Sequence, residues 1–229
     1  MSERGMIFNA EMVNAILSGR KTQTRRPIKW KQTRFTEIAE RDDGSLWPWA
    51  EDCERGGDIW FACPYGEIGD RIWVRETWAT LGNEDGCCVD WGGKLCKGDE
   101  KSAARIYRAS CEQRPGDYGL WSIPDDADWK PHTENEKFEG AWRPSIHMPS
   151  WASRITLEIT DVRVERLRGL SEEDAKSEGI IPSAGGVLPG WEYRINFRDL
   201  WMDIYGTDNW EANPWVWVIE FKRVEGGAA

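Results

Sequence analysis

Residues 154–164 read RITLEITDVRV. Ile155, Leu157 and Ile159 alternate with Arg154, Thr156, Glu158 and Thr160, the period-2 pattern of a strand with one buried face. The apolar parity then moves to Val162 and Val164. A slip of one residue turns every later side chain to the other face, so a bulge or bend is expected near Asp161. The regularity continues downstream. Ser171-Glu172-Glu173-Asp174 carries the cap and acidic first turn of a short helix, with Gly179 just past its end. A second helix is expected over Trp191–Tyr205. After Pro214, the residues Trp215, Trp217, Ile219 and Phe221 share one face while Val216 and Val218 begin the other. That strand is expected to be buried on both sides at its start.

Toward the N-terminus the pattern is helical first. Asn9 suits an N-cap, Met12, Val13, Ile16 and Leu17 recur at helical spacing, and Gly19 suits the left-handed position after Ser18. This helix delivers the chain into Arg20-Lys21-Thr22-Gln23-Thr24-Arg25-Arg26, and Pro27 is expected to end regular structure. Residues 35–60, rich in acid and glycine, read as loop with Trp47-Pro48-Trp49 as an anchor. Turns at Cys63-Pro64-Tyr65-Gly66 and Gly69-Asp70 lead into a strand over Arg71–Glu76, with Ile72 and Val74 opposed to Trp73 and Arg75. Residues 80–145 hold one expected strand, Ala104–Ala109, in an otherwise irregular insertion. Short strands with brief helices outside them predict an α+β fold: a small, partly closed mixed β-barrel with short flanking helices and a long irregular insertion. One domain is expected to span residues 1–229.

Composition bounds the function. The chain has 229 residues, 30 Lys+Arg and 40 Asp+Glu, hence a formal charge of 30 − 40 = −10, and 16 Trp. That balance excludes a protein that coats duplex non-specifically, because such affinity comes from Lys and Arg neutralising phosphates. Residues 1–41 nevertheless carry nine basic and four acidic side chains, a net +5. Arg20, Lys21, Arg25, Arg26, Lys29, Lys31 and Arg34 follow one another with no acid between them. This block is either a solvated basic surface or an anion site on an otherwise repelling protein. No apolar run approaches the ~20 residues of a membrane span, so no membrane association is expected. Met1–Arg4 is followed by an amphipathic stretch, so no secretory leader is expected either. The six cysteines contain no C-x-x-C pair, and His132 and His147 are the only imidazoles. No metal site and no cofactor are expected. There is no Gly-rich phosphate loop, G-x-S-x-G or H-E-x-x-H motif.

Two segments hold polar groups that a core does not need. Lys21 and Thr24 lie just past the first helix, and Glu76 ends an apolar strand. A lysine that loses solvent has a lowered pKa and acts as a base near neutrality. A neighbouring hydroxyl is then a nucleophile, and a carboxylate can hold the exchanged proton. The same residues also suit a structural ion pair between Lys21 and Glu76, with Thr24 satisfying a turn.

The motif Gly19-x-Lys21-x-x-Thr24-x-Arg26, followed by Gly69-Asp70-Arg71-Ile72-Trp73-Val74-Arg75-Glu76, resembles the ASCH domain family. Further segments resemble ASCH-like proteins of bacteriophages and prophages: Cys63–Gly66, Trp142–Pro149, a strand pair over Ala152–Leu167, and Asn213–Val218. The resemblance implies a PUA-like β-barrel, cytoplasmic in a bacterial host, that binds RNA or a modified nucleoside. One branch of the family is an amidohydrolase that deacetylates N4-acetylcytidine. By that likeness Thr24 would attack the amide carbonyl, Lys21 would accept its proton, and Glu76 would assist transfer to the leaving amine. That branch is compact and lacks the 80–145 insertion. Arg20, Arg25, Arg26 and Arg71 would line the mouth of the pocket, and Trp73 and Trp78 would stack on a base. Two other readings remain: a non-enzymatic phage accessory protein that binds nucleic acid or a host protein, and a ribonuclease.

Overall fold

The computed structural model describes residues 1–30, 37–52, 54–81, 87–111, 142–182 and 191–224, with the Cys111 side chain excepted. Lys31, Arg34, His132 and most of the expected insertion lie outside these residues. The chain divides into two compact units. The first comprises Met1–Arg4, Ser18–Ile72 and Leu157–Val224; the second, among the described residues, comprises Gly5–Leu17 and Trp73–Thr156.

A five-stranded sheet runs in the order β1 (Glu3–Ile7), β6 (Arg71–Arg75), β9 (Thr156–Arg166), β10 (Trp215–Val224) and β2 (Gln23–Pro27), of which β9 from Leu157 on, β10 and β2 belong to the first unit. Strand β9 is a single strand and not a pair. Leu157 and Ile159 are buried, Thr160 and Asp161 turn outward in succession, and Val162 and Val164 are buried again. The parity shift is thus absorbed where the sequence places it. In β10, Val216, Trp217, Val218 and Ile219 are all buried, so both faces are covered.

A buried strand needs a partner on each side for its backbone groups. Residues 23–27 supply one, a strand within the basic run that the sequence pattern does not announce and that ends at Pro27. Strand β2 pairs antiparallel with β10, placing Thr24 opposite Ile219 and Arg26 opposite Trp217. Backbone bonds from Phe221 N–H to the Thr22 carbonyl (2.8 Å) and from Ile28 N–H to the Trp215 carbonyl (3.0 Å) extend the pairing. The order of the sheet has two ends, β1 and β2. No closed barrel forms among the described residues, while the mixed α+β character stands.

Residues 37–60 correct the expectation of a loop. They form an antiparallel sheet of β3 (Glu37–Glu40), β4 (Leu46–Glu51) and β5 (Asp58–Trp60). Pro48 sits in the central strand, where it lacks an N–H, but its carbonyl accepts from Phe61 N–H at 3.0 Å. The acids that suggested loop fall at strand ends or in the connections between strands. Trp47 meets Trp217 edge-on at 5.5 Å, and the Arg41 guanidinium covers Trp47 at 4.3 Å.

The helices of this unit follow the sequence. Helix α3 (Glu172–Ser177) has a capping box between Ser171 and Asp174, and α4 (Glu192–Tyr205) is followed by the short α5 (Thr207–Glu211). Leu167, Leu170, Ala175, Phe197, Trp201, Val216 and Val218 form the core between them. No helix among the described residues is long and apolar enough to cross a membrane.

The second unit contains α1 (Ala10–Leu17), β7 (Trp78–Thr80), β8 (Arg105–Tyr107) and α2 (Arg108–Cys111). Asn9 Oδ1 caps α1 by accepting from Met12 N–H at 2.8 Å. Strands β7 and β8 pair antiparallel, so the segment expected as a strand over Ala104–Ala109 is partly strand and partly helical turn. Trp78, Met148 and Ala152 are the core here, flanked by Trp73, Tyr107 and Trp151. A Cβ at Gly5 would lie 2.5 Å from the Trp73 ring, so only glycine admits this packing.

Candidate functional site

In the first unit Lys21 is 2 % exposed and Thr24 1 %. Lys21 forms an isolated bridge with Glu178, and its Nζ donates to the Glu178 carbonyl at 2.9 Å and to Oε2 at 2.5 Å. Burial lowers the pKa of this ammonium, against the raising influence of Glu178. Its ion-pair partner is therefore Glu178, at the end of α3, a residue the sequence did not single out. Nothing local announces it, because 157 residues separate the pair.

Arg25 was expected at a pocket mouth, yet its side chain has no exposed surface. It reaches Glu165 Oε2 at 3.1 Å, Asp174 Oδ2 at 3.4 Å and Glu178 Oε1 at 3.6 Å, and donates to Gln23 Oε1. Isolated charges are not tolerated in an interior, so a buried guanidinium gathers carboxylates from β9 and α3. The other arginines are more open. Arg20 donates to the Gly179 carbonyl at 3.0 Å, half-buried Arg26 approaches the Tyr205 hydroxyl at 3.5 Å, and Arg71 pairs with Glu3 at 3.7 Å.

Glu76 belongs to the second unit, immediately after β6, and is 2 % exposed. Arg154 clamps it through two bonds, Nε to Oε1 at 2.8 Å and Nη2 to Oε2 at 2.9 Å. Arg154 is itself fixed, donating through Nη1 to Ser110 Oγ at 2.7 Å and lying 4.2 Å over the Tyr107 ring. A bidentate pair of this kind sets the plane of the carboxylate. Glu76 also borders an open cleft of about 350 Å³, with Ile7, Asn9, Thr77, Arg108 and Ser145 on its walls. That volume falls within the roughly 300–1,000 Å³ of small-molecule sites. A carboxylate offers about four acceptor positions, and two bonds from Arg154 leave others for a donor in the cleft.

The two tryptophans beside Glu76 divide. Trp78 is fully buried, edge-on to Trp151 at 5.5 Å and covered by the Arg143 guanidinium at 4.9 Å, so no face is open for a base. Trp73 is half-buried, packed on Gly5, with the Arg75 guanidinium 5.4 Å from its ring centre. His147 is exposed, and its N–H closes a 3₁₀ turn on Pro144. Among the described residues no cluster of three or more His, Cys, Asp or Glu is arranged to hold a metal ion. The sequence reading missed Arg154 and the α1 end of the cleft, and a lone arginine opening RITLEITDVRV carries no signal of its target.

No protein-family profile matches the chain. No curated protein matches it in sequence. Structural comparison finds similarity to the crystal structure of an ASCH domain from Lactobacillus crispatus JV V101. The match is at 14% identity with a TM-score of 0.36, covering 97% of this chain and 79% of that one. At that score the similarity decides neither fold nor function, and the functional reading rests on the residues above.

Proposed function

We propose that the protein binds RNA or a modified nucleoside, with a base seated in the cleft beside Glu76. The observation that carries this reading is a buried carboxylate held in plane by Arg154 at the wall of a nucleoside-sized cleft. A carboxylate accepts naturally from an exocyclic amine such as the cytosine N4 group. Asn9, Thr77 and Ser145 add amide and hydroxyl groups, and Ile7 adds apolar wall, the mixture that orients a small polar ligand. The chain's net charge of −10 favours selection by such a pocket over general attraction to polyanions.

Hydrolysis of an N4-acylated cytidine is the more specific form of the proposal. It requires Thr24 Oγ to reach the acyl carbonyl and Lys21 to take its proton. Thr24 and Lys21 are 1 % and 2 % exposed; Glu76 is as buried but borders the cleft, so attack needs an opening of β2 that binding beside Glu76 does not. Binding is therefore the reading with the better support. Calorimetric titration with cytidine, N4-acetylcytidine and a short single-stranded RNA tests it. Binding of at least one of these, weakened ten-fold or more by Glu76→Gln, is the expected result. Absence of binding to all three, or equal affinity in the variant, overturns it. Acetate release from N4-acetylcytidine that disappears in Lys21→Ala would establish the hydrolytic form.

A further inference from the structure

Cysteines 87, 88 and 96 lie in the second unit, away from Glu76 in sequence and lining a different cavity. Residues 88–96 form a hairpin around the antiparallel bridge Val89–Leu95. That register sets Cys88 directly opposite Cys96, and Cys96 N–H donates to the Cys88 carbonyl at 2.9 Å. Directly opposed residues project to the same face of a ladder. Both thiols are half-buried and free, and both border a cavity of about 380 Å³ with Cys87 and Leu95. The tip is rigidly closed. Asp90 N–H bonds the Lys94 carbonyl at 3.0 Å, and Asp90 Oδ1 accepts from Gly92 and Lys94 N–H at 2.9 Å each.

We propose that Cys88 and Cys96 are a reversible disulfide site, oxidised by exchange with a small-molecule disulfide of the glutathione class. Opposed residues of a hydrogen-bonded antiparallel pair have Cα atoms about 5.5 Å apart, inside the range a disulfide spans. Their Cβ atoms, about 4.5–5.5 Å apart, must draw together by roughly 1 Å. A bond closed under such strain is readily reduced, unlike a structural disulfide. The thiolate of Cys88 attacks one sulfur of the small disulfide, breaking its S–S bond and expelling one thiolate, which is protonated. Cys96, after losing its proton to solvent, attacks the Cys88 sulfur and expels the second thiol. Two protein thiols are oxidised and one small disulfide is reduced to two thiols. Partial burial and the carboxylates of Asp90 and Asp99 hold the Cys96 thiol above its ordinary range, which disfavours Cys96 as the first attacker.

The test is peptide mapping of the full chain after titration with oxidised glutathione, with unreacted thiols alkylated. Cys87→Ser, which removes the adjacent competitor, is expected to lose two alkylatable thiols and to yield one linked peptide joining Cys88 to Cys96, both restored by dithiothreitol. Cys96→Ser is expected to stop at a glutathione adduct on Cys88. The proposal is overturned if Cys88 and Cys96 stay free while Cys87 is modified, or if the linkage joins either of them to Cys53 or Cys111.

Discussion

Lys21 and Glu76 are both buried charges placed next to a strand end, and their surroundings differ in kind. Lys21 stands in a closed network: Glu178 accepts its hydrogen bonds, and Arg25 binds the same glutamate together with Asp174 and Glu165. Glu76 has one strong partner, Arg154, and a cleft beside it. A closed network uses its charges on one another, and breaking it leaves an ion with nothing to solvate it. A clamped carboxylate beside open space keeps acceptor capacity for a ligand. The contrast distinguishes charge that holds a fold from charge that is available to bind.

The largest test of that contrast compares Glu178→Ala with Arg154→Ala. Removing Glu178 strands the Lys21 ammonium and is expected to cost about 3–5 kcal/mol in denaturant unfolding. Removing Arg154 leaves Glu76 next to a cleft that water can enter, and about 1–3 kcal/mol is expected. Equal losses would erase the distinction between the two regions. Lys21→Met should be milder than Glu178→Ala, since it removes the buried charge and leaves Glu178 with Arg25.

Alkaline pH probes burial elsewhere in the first unit, through Cys63. Burial pushes this thiol from an ordinary 9.0 up to about 11. The unfolded chain therefore releases the proton first, and stability is lost as pH rises from 9 toward 11. The difference of two pH units corresponds to about 2–3 kcal/mol. Lys21, held below its ordinary value, acts in the opposite direction, because stability rises as pH climbs toward 10.5 and the unfolded lysine loses its proton. Comparing wild type with Cys63→Ala at pH 8 and pH 11 isolates the thiol. A wild-type loss between those pH values no larger than the variant's would show that the site is wetter than its burial indicates.

Much of the scaffold was legible because periodicity is local. The alternation in 154–164, the Asn9 and Ser171 caps and the two-faced apolar run after Pro214 each predict the element that forms. The basic run and residues 37–60 were not legible, for different reasons. Arg25 reads as surface because its neighbours in sequence are basic, while Glu165, Asp174 and Glu178 come from more than a hundred residues away. The acids of 37–60 suggested loop, whereas three strands pair there and Trp47 packs against Trp217 from β10, a contact that lies far along the chain. The site divides the same way. Glu76 was marked by being an acid at the end of an apolar strand, but Arg154, 78 residues on, becomes its partner only when the chain folds.

The smallest predicted effect concerns how the closed network is anchored. Asp174 ties the N-terminal cap of α3 to β2. Its Oδ2 accepts from Ser171 N–H at 3.0 Å and Ser171 Oγ at 2.7 Å, while Oδ1 accepts from Gln23 Nε2 at 3.2 Å. Burial raises the Asp174 carboxyl, but the Ser171 bonds, Arg25 and Gln23 outweigh it and hold it at about 2. A depressed carboxyl contributes stability above its unfolded value of 3.8, and that contribution is lost as pH falls through 2. Ser171→Ala removes the cap and is expected to cost about 1 kcal/mol near neutrality. It should also raise the Asp174 carboxyl, so that acid destabilisation begins at higher pH than in wild type. Denaturation midpoints at pH 7 and between pH 4 and 2 check both statements, with Ser171→Thr as a control that keeps both the cap and the donated hydroxyl. If Ser171→Ala lowers the neutral midpoint but leaves the acid profile unchanged, the serine caps α3 and does nothing for the network. If both move, the helix cap and the buried charges around Arg25 act as one unit.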